Sequence, residues 1–228
     1  MIVLFTTERD YPWGTLRSTH GCKTKIVLEE KRIPYRIENL PPGHLWKKPP
    51  EMTARHPLGK VPYIEDDGFV VYDSTVIGEY LEDRYSWPRL IPRDDPQARA
   101  RVRMLEQFAD EALLVGNLPL IWMPYWSEPD KRDKARMEKG REGLRARDFP
   151  YLEQVLKEHP EGEYICGDFS MADVPLMVLA MVLEVDQPDL QAYPRLAEYL
   201  ERLRRRPSYR AISPRTRVAD AVSLMAAL

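Results

Sequence analysis

Every strand-like segment of this 228-residue sequence lies before residue 74, so the chain divides into a mixed first part and a helical remainder. Short apolar or alternating runs predict strands, and apolar residues three or four apart predict helices. The dipeptide Asp67-Gly68 suits the tight turn of a β-hairpin. The predicted order is β-α-β-loop-β-β-α, with strands at 2–6, 35–40, 61–66 and 69–73, helices at 22–31 and 74–85, and one helical turn near 51–56.

The pattern changes after a proline-rich connector at 87–95, because helical spacing dominates the rest of the chain. Helices are predicted at 96–123, 133–158, 170–185 and 194–206. The third of these is apolar nearly all round, which indicates a buried helix. We therefore predict an α/β domain followed by an all-α domain, with domain limits of 1–86 and 96–212 and a C-terminal tail at 213–228.

The composition argues against two classes of partner. Lys and Arg number 34 against 36 Asp and Glu, a net charge of -2, so a general binder of nucleic acid or anionic membrane is not expected. No run approaches the roughly 18 apolar residues of a membrane span, and no leader pattern opens the sequence. Cys22 and Cys166 lack metal-binding spacing. We expect a cytoplasmic protein that uses no metal.

The hairpin carries polar features at one end that a sheet does not need. Pro62 stands at the entrance of its first strand, and Asp73-Ser74 stands where its second strand gives way to a helix. A cis Val61-Pro62 bond would turn the Val61 N–H and C=O outward, where an extended peptide can pair with them. Ser74, predicted to cap the helix, offers a carboxylate site, and Asp73 can accept from an ammonium group. The complementary ligand is a short peptide with a free amine and a free carboxylate.

These features resemble the glutathione transferase family. Its thioredoxin-like domain carries a cis-proline after valine and an acidic residue followed by serine at a helix start, which match Val61-Pro62 and Asp73-Ser74. Its all-α domain carries a capping box that matches Ser170-Met-Ala-Asp173, to which we assign a structural role only. The segment DSTVIGEYLED is similar to bacterial members, including those that cleave aryl ethers with glutathione. The resemblance covers nearly the whole chain and implies a thioredoxin-like domain followed by an all-helical C-terminal domain.

The resemblance also implies how glutathione would bind as co-substrate. Its γ-glutamyl end would meet Asp73 and Ser74, and its cysteinyl backbone would pair with Val61, beside Pro62. Lys60 matches a position that often faces the glycyl carboxylate, and Lys48 is a second candidate for the same carboxylate. The alternative for both lysines is a solvated surface side chain.

The residue that activates the glutathione sulfur lies, in this family, just before the first helix. In serine-type members that position matches Ser18, whose hydroxyl would donate to the thiolate while the helix N-terminus adds a favourable field. Thr19 and His20 are rivals by proximity, although we interpret His20 as an exposed loop residue. Cys22 is interpreted as a small core residue rather than a nucleophile. Because the connection before Ser18 is long, Tyr11 is a further rival.

Two groups of aromatic residues are predicted to bind the second substrate. Residues 6–17, TTERDYPWGTLR, are longer than the usual turn of the family, and Tyr11 and Trp13 would wall the electrophile site or cover a core edge. In the helical domain, Trp122 and Tyr125 belong to the stretch NLPLIWMPYW. Aromatic residues that line an apolar cleft suit an aryl substrate. The alternative for Trp122 and Tyr125 is core packing or a dimer contact.

The resemblance implies a cytosolic glutathione transferase of the kind used in detoxification. The enzyme would activate bound glutathione as a thiolate, which attacks an electrophilic and aromatic or apolar small molecule. Alternatives on the same scaffold are a glutathione-dependent β-etherase, dehalogenase or isomerase. An alternative of another class is a non-catalytic binding or assembly module. The family resemblance further implies a homodimer.

Overall fold

The protein is described by a computed structural model over residues 1–40, 48–159 and 162–221. The chain forms two compact units, of which the first contains Met1–Arg89 with the chain from Arg210 onward and the second contains Leu90–Tyr209. Residues 41–47 of the predicted loop and 222–228 of the predicted tail lie outside the described residues. The segment that starts at Arg210 thus belongs to the same unit as the N-terminal sheet.

The first unit contains the predicted mixed sheet and a separate hairpin. Its strands are β1 (Ile2–Thr6), β2 (Glu8–Tyr11), β3 (Gly14–Arg17), β4 (Tyr35–Asn39), β5 (Tyr63–Asp66) and β6 (Phe69–Tyr72). The main sheet has the order β4-β1-β5-β6, with β1 parallel to β4 and antiparallel to β5. This arrangement is thioredoxin-like, so the predicted fold of the N-terminal part is confirmed.

Helices connect these strands as the sequence pattern predicts. They are α1 (Thr19–Glu30), α2 (Pro50–Arg55) and α3 (Ser74–Arg84). A parallel pair needs a crossover connection, and α1 supplies it between β1 and β4 while burying Cys22, Ile26 and Leu28. The helix begins at Thr19 rather than at the predicted residue 22, because Ser18 caps its first turn. The helical turn predicted near 51–56 is confirmed as α2.

The turn between β5 and β6 has the geometry that its sequence predicts. Asp67 and Gly68 have φ values of 50° and 85°, and two positive φ values define the type I′ turn. The turn fixes the register, which pairs Asp66 with Phe69 at one end and Tyr63 with Tyr72 at the other. The strand entrance and the strand exit therefore lie at the same end of the hairpin.

The connection before Ser18 is not the loop that the sequence analysis expected. It forms the antiparallel hairpin β2–β3, which pairs Glu8 with Arg17 at its base and Tyr11 with Gly14 at its tip. The short, largely polar strands gave no alternating apolar signal, which explains why the prediction was wrong. The segment that starts at Arg210 contacts this hairpin, since the Thr15 N–H donates to the Pro214 carbonyl over 2.8 Å.

The second unit is helical, as predicted. Its α-helices are α4 (Pro96–Phe108), α5 (Leu118–Tyr125), α6 (Lys134–Gly143), α7 (Phe149–Glu158), α8 (Asp173–Asp186) and α9 (Pro194–Arg204), and a short helix α10 (Val218–Ala221) belongs to the first unit. Two of the four predicted long helices are interrupted by π-helical segments at Ala109–Asn117 and Leu144–Asp148. Among the described residues, no helix is both long and apolar enough to cross a membrane.

The buried helix of the second unit is α8, and the predicted box precedes it. All its residues from Asp173 to Leu183 are buried. Asp173 Oδ2 accepts from the N–H and the hydroxyl of Ser170, and Oδ1 accepts from the Ile165 N–H and the Tyr199 hydroxyl. The box therefore ties the start of α8 to its neighbours, which confirms its structural role.

Candidate functional site

The β5–β6 hairpin brings the strand entrance and the start of α3 together. Tyr63 pairs with Tyr72, so Pro62 and Asp73 are the next residues at the same end of the hairpin. The Val61-Pro62 bond is cis. Pro62 is buried and Val61 is half-buried, whereas Asp73 is exposed. The residues that the sequence analysis assigned to one corner are therefore neighbours in the structure.

Asp73, and not Ser74, caps α3. Its backbone has φ 71°, and its Oδ1 accepts from the N–H groups of Thr75 and Val76 over 3.0 and 3.4 Å. Ser74 is the first residue of the helix and is buried. The predicted Ser74 cap is wrong because Asp73 has the non-helical backbone of a cap residue, whereas Ser74 is already helical. The Asp73 carboxylate is thus both fixed at the helix start and open to solvent.

Ser18 occupies the corresponding position before α1. Its Oγ accepts from the Gly21 N–H over 3.2 Å, and its own N–H donates to the Thr7 carbonyl over 2.9 Å. The helix start lies against β1, since a Cβ on Gly21 would come within 2.0 Å of Thr6 Oγ1. The Ser18 hydroxyl is half-buried and accepts from the helix, so its proton can be directed at a ligand.

His20 links the two helix starts. Its Nδ1 lies 3.4 Å from the Ser74 Oγ. His20 is not the exposed loop residue predicted from the sequence, because it lies in the first turn of α1 and is half-buried, as is Thr19. One contact therefore brings the end of α1 that carries Ser18 next to the end of α3 that carries Ser74.

The two lysines predicted to face a carboxylate lie on neighbouring chain segments. The Lys48 Nζ donates to the Leu58 carbonyl over 2.6 Å, and its side chain crosses Gly59, where a Cβ would lie 2.5 Å from Lys48 Cδ. Lys60 follows and is exposed. Burial lowers the pKa of His56, and the charges of Lys60 and Lys48 lower it further, opposed by Asp73. This side of the corner is therefore electropositive.

Lys23 is a further cation near the start of α3, and the sequence analysis did not select it. Its side chain is almost fully buried, and its Nζ donates to Thr75 Oγ1 over 2.9 Å. A lysine is rarely buried without a polar partner, and Lys23 has one in Thr75. Because α1 carries other charged residues, its sequence does not distinguish Lys23 from a surface lysine.

Cys22 is a core residue, as predicted. It is fully buried, and burial raises the pKa of its thiol to about 12. A thiol that stays protonated is not a nucleophile at neutral pH. Cys22 is therefore not a rival to Ser18 for the chemistry.

Tyr11 and Trp13 lie at the tip of the β2–β3 hairpin. Their ring centroids are 5.4 Å apart, and the Tyr11 carbonyl accepts from Arg217 Nη1 over 2.7 Å. Ser18 follows the base of the same hairpin, so the length of β3, roughly 13 Å for its residues, separates the backbones of Tyr11 and Ser18. The structure does not bring Tyr11 together with Ser18 along this hairpin.

Trp122 and Tyr125 lie in α5 of the second unit. Trp122 is 2% exposed and packs edge-on against Trp126 at 5.0 Å. Tyr125 is half-buried, and the Arg132 guanidinium lies 4.1 Å from its ring centroid. The burial of Trp122 favours core packing for that residue, and the predicted pocket role stays a prediction. Among the described residues, no group of His, Cys, Asp and Glu side chains is arranged to hold a metal ion.

Comparison with known proteins identifies the family. Residues 18–84 match the family model "Glutathione S-transferase, N-terminal domain", and residues 119–211 match "Glutathione S-transferase, C-terminal domain". A maleylacetoacetate isomerase of Mus musculus is 30% identical, over 81% of this chain and 83% of that protein.

Solved structures show the same likeness. A glutathione S-transferase from Methylobacillus flagellatus, solved with gsh bound, has a TM-score of 0.71 and 26% identity, covering 94% of this chain and 100% of that chain. The fold also matches a maleyl pyruvate isomerase described as a bacterial glutathione S-transferase of the Zeta class, with a TM-score of 0.76, 24% identity, and coverage of 95% of this chain and 98% of that chain. With both family models matched in order, this chain belongs to the glutathione S-transferase family.

Proposed function

We propose that this chain binds glutathione at the corner described above and uses its sulfur as a nucleophile. The observation that carries the proposal is the convergence of two helix starts, with His20 of α1 in contact with Ser74 of α3. Helix N-termini favour anions, and glutathione with an ionised sulfur offers a thiolate for one helix start and the γ-glutamyl carboxylate for the other. Ser18 then faces the thiolate, and Ser74 faces the γ-glutamyl carboxylate.

The γ-glutamyl end carries an ammonium group beside its carboxylate, and the start of α3 matches both charges. The Ser74 N–H and hydroxyl are donors for the carboxylate. The exposed Asp73 carboxylate is an acceptor for the ammonium group, held in place by its contacts with the helix N–H groups. Charge-assisted hydrogen bonds of this kind fix the orientation of a small ligand.

The rest of glutathione would extend along the strand entrance. Its cysteinyl backbone pairs with the N–H and C=O of Val61, as an added strand does. Its glycyl carboxylate then reaches the electropositive side of the corner, where Lys60 is exposed and Lys48 lies across Gly59. Three separate charge interactions thus support the proposed orientation.

Lowering the pKa of the bound thiol through Ser18 accounts for only part of the rate acceleration. A thiol with a pKa of about 8.5 is a few per cent ionised at pH 7, and lowering that pKa by about two units raises the thiolate fraction roughly 25-fold. Nucleophilicity falls as the pKa falls, by roughly 8-fold over the same range. The net gain is about threefold, so orientation of the thiolate beside the electrophile must supply most of the acceleration.

The proposed reaction is transfer. The thiolate attacks an electrophilic carbon of an aromatic or apolar small molecule, a carbon–sulfur bond forms, and the leaving group departs with the electron pair of the broken bond. Ether cleavage and dehalogenation are the same step with a different leaving group. Family membership further supports a homodimer and a cytoplasmic location, which we include in the proposal.

Isomerisation is a second candidate, and the relatives named maleylacetoacetate isomerase favour it. Here the thiolate adds to the conjugated double bond of a cis-enone acid, the resulting single bond rotates, and elimination restores the double bond and glutathione. Transfer and isomerisation both begin with attack of the glutathione thiolate on a carbon atom of the second substrate. The two candidates therefore differ in whether glutathione is consumed.

One experiment separates these candidates. The protein is incubated with glutathione and, in turn, an aryl halide, a β-aryl ether or a cis-enone acid, while free thiol and product are both quantified. Transfer consumes one thiol for each product molecule, whereas isomerisation leaves the thiol content constant. If the protein is not retained on immobilised glutathione and shows no thiolate absorbance, the non-catalytic module is the better assignment.

A further inference from the structure

Three charged side chains are buried beside the start of α1, and the proposed function uses none of them. Glu8 is 4% exposed, Arg17 1% and Lys25 0%. Charged groups are almost never buried this far unless they are paired. Two cations share one anion here, so the cluster of Glu8, Arg17 and Lys25 carries a net charge of one positive unit.

The pairing leaves both cations fixed. Lys25 Nζ lies 2.7 Å from Glu8 Oε1, and Arg17 Nε lies 3.6 Å from the same oxygen. Arg17 also donates to backbone carbonyls, with Nη1 2.6 Å from the Ser213 oxygen and Nη2 2.6 Å from the Thr216 oxygen. Carbonyl groups hold the guanidinium in place without cancelling its charge.

The cluster is connected to Ser18 through the base of the hairpin and through α1. Glu8 pairs with Arg17 at the base of the hairpin, and the next hydrogen bond along the same two segments joins the Ser18 N–H to the Thr7 carbonyl. Lys25 follows Ser18 by seven residues, which is two helical turns on the same face and about 10 Å along the axis.

A thiol already present at this end of α1 responds to the same charges. Cys22 follows Ser18 by four residues and thus lies on the same face. Burial raises the pKa of its thiol, Lys25 and Arg17 act to lower it, and Glu8 acts to raise it. The two cations therefore act together on a sulfur in this region, against one anion.

We propose that the buried cluster of Glu8, Arg17 and Lys25 supplies a fixed positive field that stabilises the glutathione thiolate at Ser18. The inference rests on the proposed function, because it concerns the sulfur bound there. Buried charges are screened much less by salt than exposed ones. In general, one unit charge about 10 Å from a thiol, at an effective dielectric constant near 20, shifts its pKa by roughly one unit.

The test changes the charge of the cluster in both directions. Lys25→Met lowers its charge by one unit, Glu8→Gln raises it by one unit, and the double variant restores the wild-type total without the ion pair. Thiolate ultraviolet absorbance of the glutathione complex is titrated against pH. We expect the pKa of the bound thiol to rise by about one unit in Lys25→Met and to fall by up to about one unit in Glu8→Gln. In the double variant it returns to within half a unit of wild type.

This ordering is one that a purely structural role does not produce. If the cluster only supports the fold, each single variant breaks a buried ion pair and disturbs the site in the same direction, so Glu8→Gln would not lower the pKa of the bound thiol while Lys25→Met raises it. Affinity for S-methylglutathione, which has no thiol, is the control for an intact site and stays within a few-fold of wild type. The other charged groups near this end of α1 are the same in all four proteins: His20, Lys23, Asp73, Asp10 and Arg217.

The titrations show whether the role of the cluster or the proposed function itself has failed. Absence of any thiolate signal in the wild-type complex contradicts the proposed function itself. A wild-type signal with superimposable titrations in all folded variants contradicts only the role of the cluster. If only the double variant folds, a titration displaced by more than half a unit from wild type overturns the inference. If none of the three folds, the cluster is assigned to stability alone.

Discussion

At the scale of single residues, Asp73 has two roles that one substitution separates. Its Oδ1 caps α3 through the N–H groups of Thr75 and Val76, and its exposed carboxylate is the proposed partner of the glutathione ammonium group. Asp73→Asn keeps a capping oxygen and removes the charge. We expect calorimetry to show glutathione binding weakened by about 1.5–3 kcal/mol, the range for hydrogen bonds to charged groups.

A second capping aspartate is the matched control. Asp95 caps α4 in the second unit and makes the same pair of contacts, with the N–H groups of Gln97 and Ala98 at 2.8 and 3.0 Å. Both Asp73→Asn and Asp95→Asn keep a capping oxygen, so the two variants should change the free energy of unfolding equally little. Asp95→Asn should leave glutathione affinity at the wild-type value. Equal affinity in the two variants would remove Asp73 from the site.

Ser18 can be tested through the pH dependence of the bound sulfur. Ser18→Ala removes the proposed donor to the thiolate, so we expect the pKa of the bound thiol to rise and glutathione affinity to stay within a few-fold. Because a raised thiol pKa matters less once the thiol is ionised by alkali, the rate loss should shrink as pH rises. Thiolate absorbance of the complex against pH measures the shift directly.

The substitution also removes a helix cap, which requires its own control. Ser18 Oγ accepts from the Gly21 N–H, and loss of such a cap costs about 1 kcal/mol of stability. Ser18→Thr keeps both the cap and the hydroxyl, so its titration should follow wild type. Superimposable titrations for wild type and Ser18→Ala would move the role to Thr19 or His20, which follow Ser18 in the first turn of α1.

The residues of the corner could be predicted from sequence because each has a local signature. A proline at a strand entrance and an Asp-Ser pair before a helical pattern are visible in a single chain, and the structure brings them together as neighbours. The identity of the cap was wrong, since Asp and Ser are both good caps and only the backbone conformation decides between them. The burial of Glu8, Arg17 and Lys25 depends on tertiary packing and leaves no local signal.

At the scale of elements, α5 tests the predicted second-substrate pocket. Trp122 is buried, so Trp122→Ala should lower the free energy of unfolding by about 3–5 kcal/mol. Tyr125 is half-buried, and Tyr125→Ala should cost less stability. If Tyr125 contacts the substrate, Tyr125→Ala raises KM for an aryl electrophile or changes the ranking of substrates, as steady-state kinetics would show.

Tyr151 is the comparison for this experiment. It lies in α7 of the same unit, is 41% exposed, and packs on Phe108 at 4.3 Å between ring centroids. Tyr151→Ala removes an aromatic ring from a helix for which no pocket role is predicted. Kinetics that are equal for Tyr125→Ala and Tyr151→Ala, with the same substrate ranking as wild type, would place the pocket elsewhere.

The elements differ in how far their sequences predict them. Strongly apolar periodicity predicted the main sheet and the long helices, and the Asp67-Gly68 dipeptide predicted the type I′ turn. The hairpin β2–β3 was missed because its strands are held by pairing and by the segment that starts at Arg210 rather than by an apolar face. The π-helical segments were missed because such segments are rare and carry no capping or turn residue that marks them in a sequence.

At the scale of the whole chain, the segment from Arg210 belongs to the first unit although the second unit precedes it in sequence. Ala211 and Ile212 are fully buried there, and the Arg17 guanidinium donates to the Ile212, Ser213 and Thr216 carbonyls over 3.5, 2.6 and 2.6 Å. No apolar pattern near residue 212 could predict this, because the partner is an arginine almost 200 residues earlier. The stability of the first unit therefore depends on residues 211–216.

A double-mutant cycle measures that dependence. In the full chain, Arg17→Met leaves the buried carbonyl groups without their donor, and we expect a loss of about 1–3 kcal/mol in the free energy of unfolding. Removing residues 212–228 destabilises the unit by exposing the surface that Ile212 covers. In that shortened chain Arg17 no longer has these acceptors, so Arg17→Met should cost much less there or stabilise the protein. Denaturant unfolding followed by circular dichroism gives the coupling, expected at about 1–3 kcal/mol. Additive effects of the two changes would mean that Arg17 acts through Glu8 and Lys25 alone.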